Sequence, residues 1–144
     1  MSAEPFAARA SWGRPSNGLR LGIAVEGPVA HLLLEDVGDG PLEVMSHVEA
    51  GGEVHLDWFT IVVGERVIEL AGPRNRSALV PVTLEPGGRL HHAVDVAAWA
   101  ARPQNGGEAL APGEHPARAT YEVGPERDRW SGRLEAGPVT LSIP

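Results

Sequence analysis

The sequence predicts an all-β protein, an antiparallel β-sandwich of about seven to nine strands. Three observations predict it. Apolar residues alternate with polar or small ones in short runs, most clearly at Leu19, Leu21, Ile23 and Val25 and again at Val139, Leu141 and Ile143. A period of two turns one set of side chains to a core and the other to water. The 18 glycines and 13 prolines fall mostly between these runs, where tight turns need them, and show no three-residue collagen period. Helix signals are almost absent, whereas a parallel α/β fold would need long crossover helices. Alternation does not count sheets, so a closed barrel is the architectural alternative.

The elements follow in order. Residues 1–11 read as a loosely held segment with at most a helical turn from Phe6 to Arg9. Residues 12–144 read as one sandwich domain. Trp12 is expected to lie across a sandwich edge, and Asn17-Gly18 to supply positive φ before the first strand. Strands are expected over 19–26 and 29–35, then 42–48 after the Asp39-Gly40 turn. A strand over 55–63 turns at Gly64-Glu65 into 66–70. Strand 79–84 carries Pro81, which suits an edge or a strand start. Strand 89–96 leads to one helical turn over 97–101 and a flexible polar loop, Gln104–Glu108. Ala117, Ala119, Tyr121 and Val123 face one way on the next strand. Residues 130–135 then pass through an Ala136-Gly137-Pro138 turn into a final strand. Truncation after Pro138 is expected to remove a core strand and cost several kcal/mol.

Composition narrows the classes. A chain of 144 residues suits one domain, and 42% hydrophobic residues argue against a wholly disordered one. Cysteine is absent, which removes disulfides, thiolate nucleophiles and cysteine metal sites. The net charge of −7 disfavours nucleic acid and anionic lipid, so neither is expected as a partner. Met1-Ser2-Ala3-Glu4-Pro5 lacks a basic region followed by an apolar stretch, so a cytoplasmic bacterial protein without a membrane span is expected.

Several turns together carry a resemblance. They are Trp12-Gly13 with Asn17-Gly18-Leu19, Leu84-Glu85-Pro86-Gly87-Gly88, and Leu110-Ala111-Pro112-Gly113-Glu114 before Arg118-Ala119-Thr120-Tyr121. Trp130-Ser131-Gly132 and Gly137-Pro138-Val139-Thr140 complete the set. The pattern resembles uncharacterised bacterial immunoglobulin-like or fibronectin-type-III-like domains over most of 12–143. That resemblance implies a spacer, adhesive, accessory or inhibitor role, and the chain departs from antibody domains in lacking both cysteines. Tyr121 resembles the late-strand tyrosine whose hydroxyl ties a loop to such a sandwich, with ordinary core packing as the alternative.

Catalytic chemistry finds no anchor in the sequence. Ser16, Ser46, Ser77, Ser131 and Ser142 lack a nucleophile-elbow context, and no glycine loop has the strand and helix that phosphate binding requires. Adjacent His91 and His92 point to opposite faces of a strand. His55 and Asp57 share a face, and His47 would join them in the right register to make a water-completed zinc site. The reading adopted is nonetheless no catalytic, cofactor or metal residue. The candidate surface-binding residues are Trp130, Trp99, Arg74 and Arg76. Trp130 follows a charged run, Trp99 sits among alanines, and Arg74-Asn75-Arg76 is a compact basic patch. Trp58 is expected to pack across a sheet face.

The expected function is a noncatalytic protein-interaction or structural module with an unidentified protein partner. An open sandwich edge could pair with that partner or with a second copy, and a homodimer would bury about 1,000 Å² or more. Three alternatives stand beside it. A carbohydrate- or small-ligand-binding domain needs an accessible tryptophan. A proteinase inhibitor needs a rigid protruding loop at Gly72–Ser77 or Gln104–Glu108. A metal-dependent enzyme needs His47, His55 and Asp57 within coordination reach.

Overall fold

A computed structural model describes residues 4–45, 47–48, 54–70, 82–125 and 129–144. Their architecture is all-β and antiparallel throughout. Helix α1 (Glu4–Arg9) leads into β1 (Ser11–Trp12), β2 (Leu19–Glu26) and β3 (Val29–Asp36). These three strands and β10 (Arg89–Asp95) form the first sheet, in the order β1-β2-β3-β10. The second sheet has the order β12-β11-β7-β8, from β7 (Phe59–Val63), β8 (Arg66–Glu69), β11 (Gly113–Val123) and β12 (Gly132–Ile143). Two ribbons sit between them in sequence. One pairs β4 (Leu42–Val44) with β9 (Val82–Leu84), and the other pairs β5 (His47–Val48) with β6 (Val54–His55).

The two larger sheets share one core. Leu19, Leu21, Ile23, Leu32 and Leu34 from the first meet Phe59, Ile61, Ala119, Tyr121, Leu134 and Leu141 from the second in a single buried apolar cluster. This is the set that alternation in the sequence selects. Asn17 and Gly18, with φ of 50° and 81°, make the two-residue turn between Ser16 and Leu19, as expected. Gly64-Glu65 likewise joins β7 to β8 with Val63 opposite Arg66.

Several expected elements are divided or merged. The strand expected over 42–48 breaks at Met45, whose N–H donates to the Tyr121 hydroxyl while its carbonyl accepts from it, both at 2.9 Å. A backbone held by a side chain cannot also join a ladder. The strand expected over 55–63 breaks at Asp57-Trp58, where Phe59 N–H donates to Leu56 O across a tight turn. Only β9 of the 79–84 strand lies within the described residues. The Ala136-Gly137-Pro138 turn is instead a bulge inside one continuous strand. Ala117 faces Val139 and Ala119 faces Ala136, so Gly137 and Pro138 together oppose Arg118. Because β12 is an edge strand, a proline without an N–H is tolerated there.

The N-terminal segment also departs from expectation. Residues 4–12 are docked on the outer face of the first sheet rather than loosely held. Phe6 is 5% exposed and groups with Ala7, Ala24 and Leu33, with Ala10 and Trp12 packed alongside. Trp12 lies over Gly22, not across a sandwich edge, and its indole N–H donates to Ala7 O at 3.1 Å. Period-two alternation assigns Ala24 and Leu33 to water, and a six-residue helix carries too short an apolar stripe to signal that it covers them. Burying Phe6 contributes about 2 kcal/mol.

Candidate functional site

The two outer sheet faces differ. On the first sheet, α1 and Trp12 cover one half. The other half is a charged ladder: Arg20 Nε donates to Glu35 Oε1 at 2.7 Å, Arg89 Nε to Glu35 Oε2 at 2.5 Å, and the Arg20 guanidinium lies 4.0 Å from the Trp12 ring. Glu35 is buried between two arginines, so that face is occupied by its own chain.

On the second sheet, nothing among the described residues covers the outer face in this way. Strand register sets its rows. Arg118 pairs with Val62, and Val62 with Val67, which is 55% exposed. The next row runs Glu135, Thr120, Thr60, Glu69. The segment from Gly13 to Ser16 passes beside the β12 edge and walls an open groove of about 760 Å³ over these rows. Arg14, Arg118 and Arg133 all line it, together with Glu135, Val62 and Thr120. Arg133 is engaged by Glu135 at 3.1 Å and Glu122 at 3.8 Å. Arg14 and Arg118 form no ion pair among the described residues.

The candidate residues from the sequence fall elsewhere. Trp130 is a core residue, not a surface one: it is 4% exposed, lies 5.5 Å from Tyr121, and donates its indole N–H to Ser16 O at 3.0 Å. The charged run before it suggested exposure, but its ring fills the end of the core once its one donor is satisfied. Trp99 is half-buried against the core, with the Arg102 guanidinium 3.5 Å from its ring. Trp58 also packs partly against the core. Arg74 and Arg76 lie outside the described residues, as does the Gly72–Ser77 loop. Trp130 is buried, Trp12 and Trp99 are each faced by an arginine, and Trp58 is half-buried against the core.

The second inhibitor loop is also accounted for. Residues 103–105 form a 3₁₀ turn lying along β8. Asn105 Oδ1 accepts from Glu69 N–H at 2.9 Å, and its Nδ2 donates to Glu69 O at 3.0 Å and to Trp99 O at 2.9 Å. The loop is pinned to a sheet edge at Asn105, while residues 106–108 are exposed.

Histidines converge away from the expected place. His47 and His55 are backbone partners across the β5–β6 ribbon. Among the described residues, however, no group of three or more histidines and carboxylates is placed to hold a metal ion, which weighs against the metal-enzyme reading. Under α1, His31 Nδ1 and His91 Nε2 are 2.8 Å apart, and Phe6 stacks on His31 at 3.6 Å. Burial lowers both imidazole pKa values, and a charge on His91 would further oppose protonation of His31. Glu26 Oε1 lies 3.9 Å from His31 Nε2, which is beyond a hydrogen bond, and the neutral ring makes no ion pair with it. On the inner face, burial pushes His92 down to about 4.

The sequence reading missed the groove. Gly137-Pro138 inside an alternating run was the available bulge signal. Which outer face stays bare depends on where α1 and the 13–16 segment travel, and local periodicity does not encode that. Comparison with family models, curated proteins and solved structures finds no match to this chain.

Proposed function

We propose that this chain is a noncatalytic protein-interaction module, an immunoglobulin-like or fibronectin-type-III-like sandwich that binds a protein partner through the outer face of its second sheet. The single observation that carries the reading is the contrast between the two outer faces. The first is filled by α1, Trp12 and the Arg20–Glu35–Arg89 ladder. The second offers an open groove beside exposed Val67, without such a cover among the described residues. Apolar surface rimmed by charge marks interaction sites.

Sheet order supports the fold half of the proposal. The order β12-β11-β7-β8 corresponds to strands G, F, C and C′, and β2-β3-β10 to A, B and E of the opposite sheet. Tyr121 serves as a tie but lies near the end of β11, whereas the tying tyrosine of an antibody domain lies near the start of its strand. Its partner, Met45, is 76 residues earlier, not the near neighbour of an antibody domain.

The test is photo-crosslinking from position 67 in extract of the source cells. A matched probe at position 93, on the outer face of the first sheet, is the control. One stoichiometric protein captured from 67 and lost on Val62→Asp supports the proposal. Capture of a second copy of this chain would identify the partner as itself. Capture only from 93, or from neither position, overturns it.

A further inference from the structure

We infer that the groove on the second sheet binds an acidic, extended peptide, with Arg14 and Arg118 taking its carboxylates and the Val62–Val67 strip beyond Arg118 taking an apolar side chain. This deepens the interaction reading and rests on it.

The argument begins with charge. The chain carries 19 acidic and 12 basic residues, and every basic residue is an arginine. Three of those arginines line one groove with a single carboxylate, Glu135. Elsewhere the arginines with described contacts are largely spoken for: Arg20 and Arg89 by Glu35, Arg66 by the Ala100 and Asn105 carbonyls, Arg102 by Trp99. Arg14 and Arg118 form no such pairs among the described residues. A guanidinium presents a planar fork that fits a carboxylate with two parallel hydrogen bonds.

Both side chains are placed by close backbone approaches that only glycine permits. A Cβ on Gly137 would lie 2.9 Å from Ala117 O and 3.1 Å from Arg118 Cα and Cγ, so the bulge leaves room for the Arg118 stem to pass beneath it. Bulges commonly re-aim a side chain in this way. A Cβ on Gly13 would lie 1.5 Å from Glu135 O, so glycine lets the chain press against β12 and deliver Arg14 to the groove wall. Arg14 beside β12 and Arg118 on β11 therefore follow one another across the sheet, with Val62 and Val67 next in the row that strand register fixes.

The occupant follows from this chemistry. Among the described residues no aromatic side chain lines the groove to stack a base, which disfavours nucleic acid as the anion. Val62 and exposed Val67 add an apolar strip on the far side of Arg118 that suits a leucine-like residue next to the carboxylates. A peptide alternating acidic and aliphatic residues meets both requirements.

The experiment measures fluorescence anisotropy of dye-labelled peptides against the whole chain. The probes alternate Glu and Leu, Gln and Leu, or Lys and Leu, with single-stranded oligothymidylate as a polyanion. The Glu–Leu peptide is expected to bind at least tenfold more tightly than the other three, and more weakly as salt rises. Arg14→Gln with Arg118→Gln is expected to weaken it about tenfold. Glu135→Gln is expected to tighten it about twofold to threefold by removing the groove's own carboxylate, a gain that misfolding cannot produce. Equal binding of Glu–Leu and Gln–Leu overturns this assignment while leaving a protein-binding face in place. Tighter binding of oligothymidylate, or no change in the arginine and Glu135 variants, also overturns it.

Discussion

His31 Nδ1 lies 2.8 Å from His91 Nε2, and the Phe6 ring of α1 is stacked over His31. The two imidazoles share a single hydrogen, an arrangement open to neutral rings and closed to two cations. Protonation therefore acts against the docked helix. Beside His31, Glu26 favours the cation and Arg9 opposes it.

The sign of the pH dependence follows. His31, His91 and His92 all have lowered pKa values when folded, so the unfolded chain binds more protons as pH drops. Stability is fully present above the ordinary value of 6.5 and is lost as pH falls toward the folded values, about 4 for His92. At about 1.4 kcal/mol per pKa unit, His92 alone contributes a loss on the order of 3 kcal/mol across that window. Urea unfolding at a series of pH values should show this fall. The double variant His31→Phe, His91→Leu should flatten part of it, and an unchanged slope would mean that the buried pair does not carry the dependence.

Tyr121→Phe should destabilise the fold by about 2 kcal/mol. The hydroxyl is fully buried and makes both of its hydrogen bonds with one residue, Met45. Removing it strands a buried N–H and a buried carbonyl where β4 leaves the ladder. Denaturant titration should record a lower midpoint with an unchanged slope. Amide exchange at Met45 should rise with it. A midpoint within a few tenths of a kcal/mol of the parent would show that another group satisfies the Met45 backbone.

Much of the fold was legible in the sequence because burial and alternation coincide wherever a strand has one covered face. Leu19, Leu21 and Ile23 are core for that reason, and the turns at Asn17-Gly18 and Gly64-Glu65 follow from local backbone preference. The reading weakened where a distant element changed a strand's environment. Leu33 and Ala24 are buried by a helix that is short and weakly patterned, and Trp130 is buried by a tyrosine from another strand. The resemblance offered Tyr121 as a tie beside plain core packing, and its actual partner Met45 depends on topology. The groove was illegible for the same reason: Arg14 and Arg118 are over a hundred positions apart.

Gly13→Ala tests whether that groove depends on one close approach. The added Cβ would overlap Glu135 O at 1.5 Å, so the 13–16 segment must lift from β12. Overpacking of this kind costs about 2 kcal/mol. The Gly13 N–H donates to Leu21 O at 2.9 Å, and its exchange protection should fall with the displacement. The same shift should carry Arg14 away from the groove wall and weaken acidic-peptide binding more than Arg14→Gln alone. Unchanged protection would show that the wall accommodates a methyl group without moving.

Asn105→Ala should uncover the β8 edge. A sheet edge offers unpaired backbone groups to any extended chain, and here a side-chain amide stands where a neighbouring strand would bond. Asn105 meets both the N–H and the carbonyl of Glu69 and also holds the Trp99 carbonyl, so one residue joins β8 to the end of the short helix Val96–Ala100. Arg66 strengthens the clasp by donating to Ala100 O at 2.7 Å and Asn105 O at 3.0 Å. Truncation removes three hydrogen bonds at a partly exposed site, which corresponds to a loss of about 1–2 kcal/mol. The Glu69 amide should exchange faster, and sedimentation at rising concentration should reveal self-association along the freed edge beside exposed Val67. Asn105→Asp keeps the acceptor for Glu69 N–H but loses both donors, so it should fall between the parent and alanine. Faster exchange without self-association would show that the clasp stabilises β8 without guarding it. No change in exchange would remove Asn105 from the edge altogether.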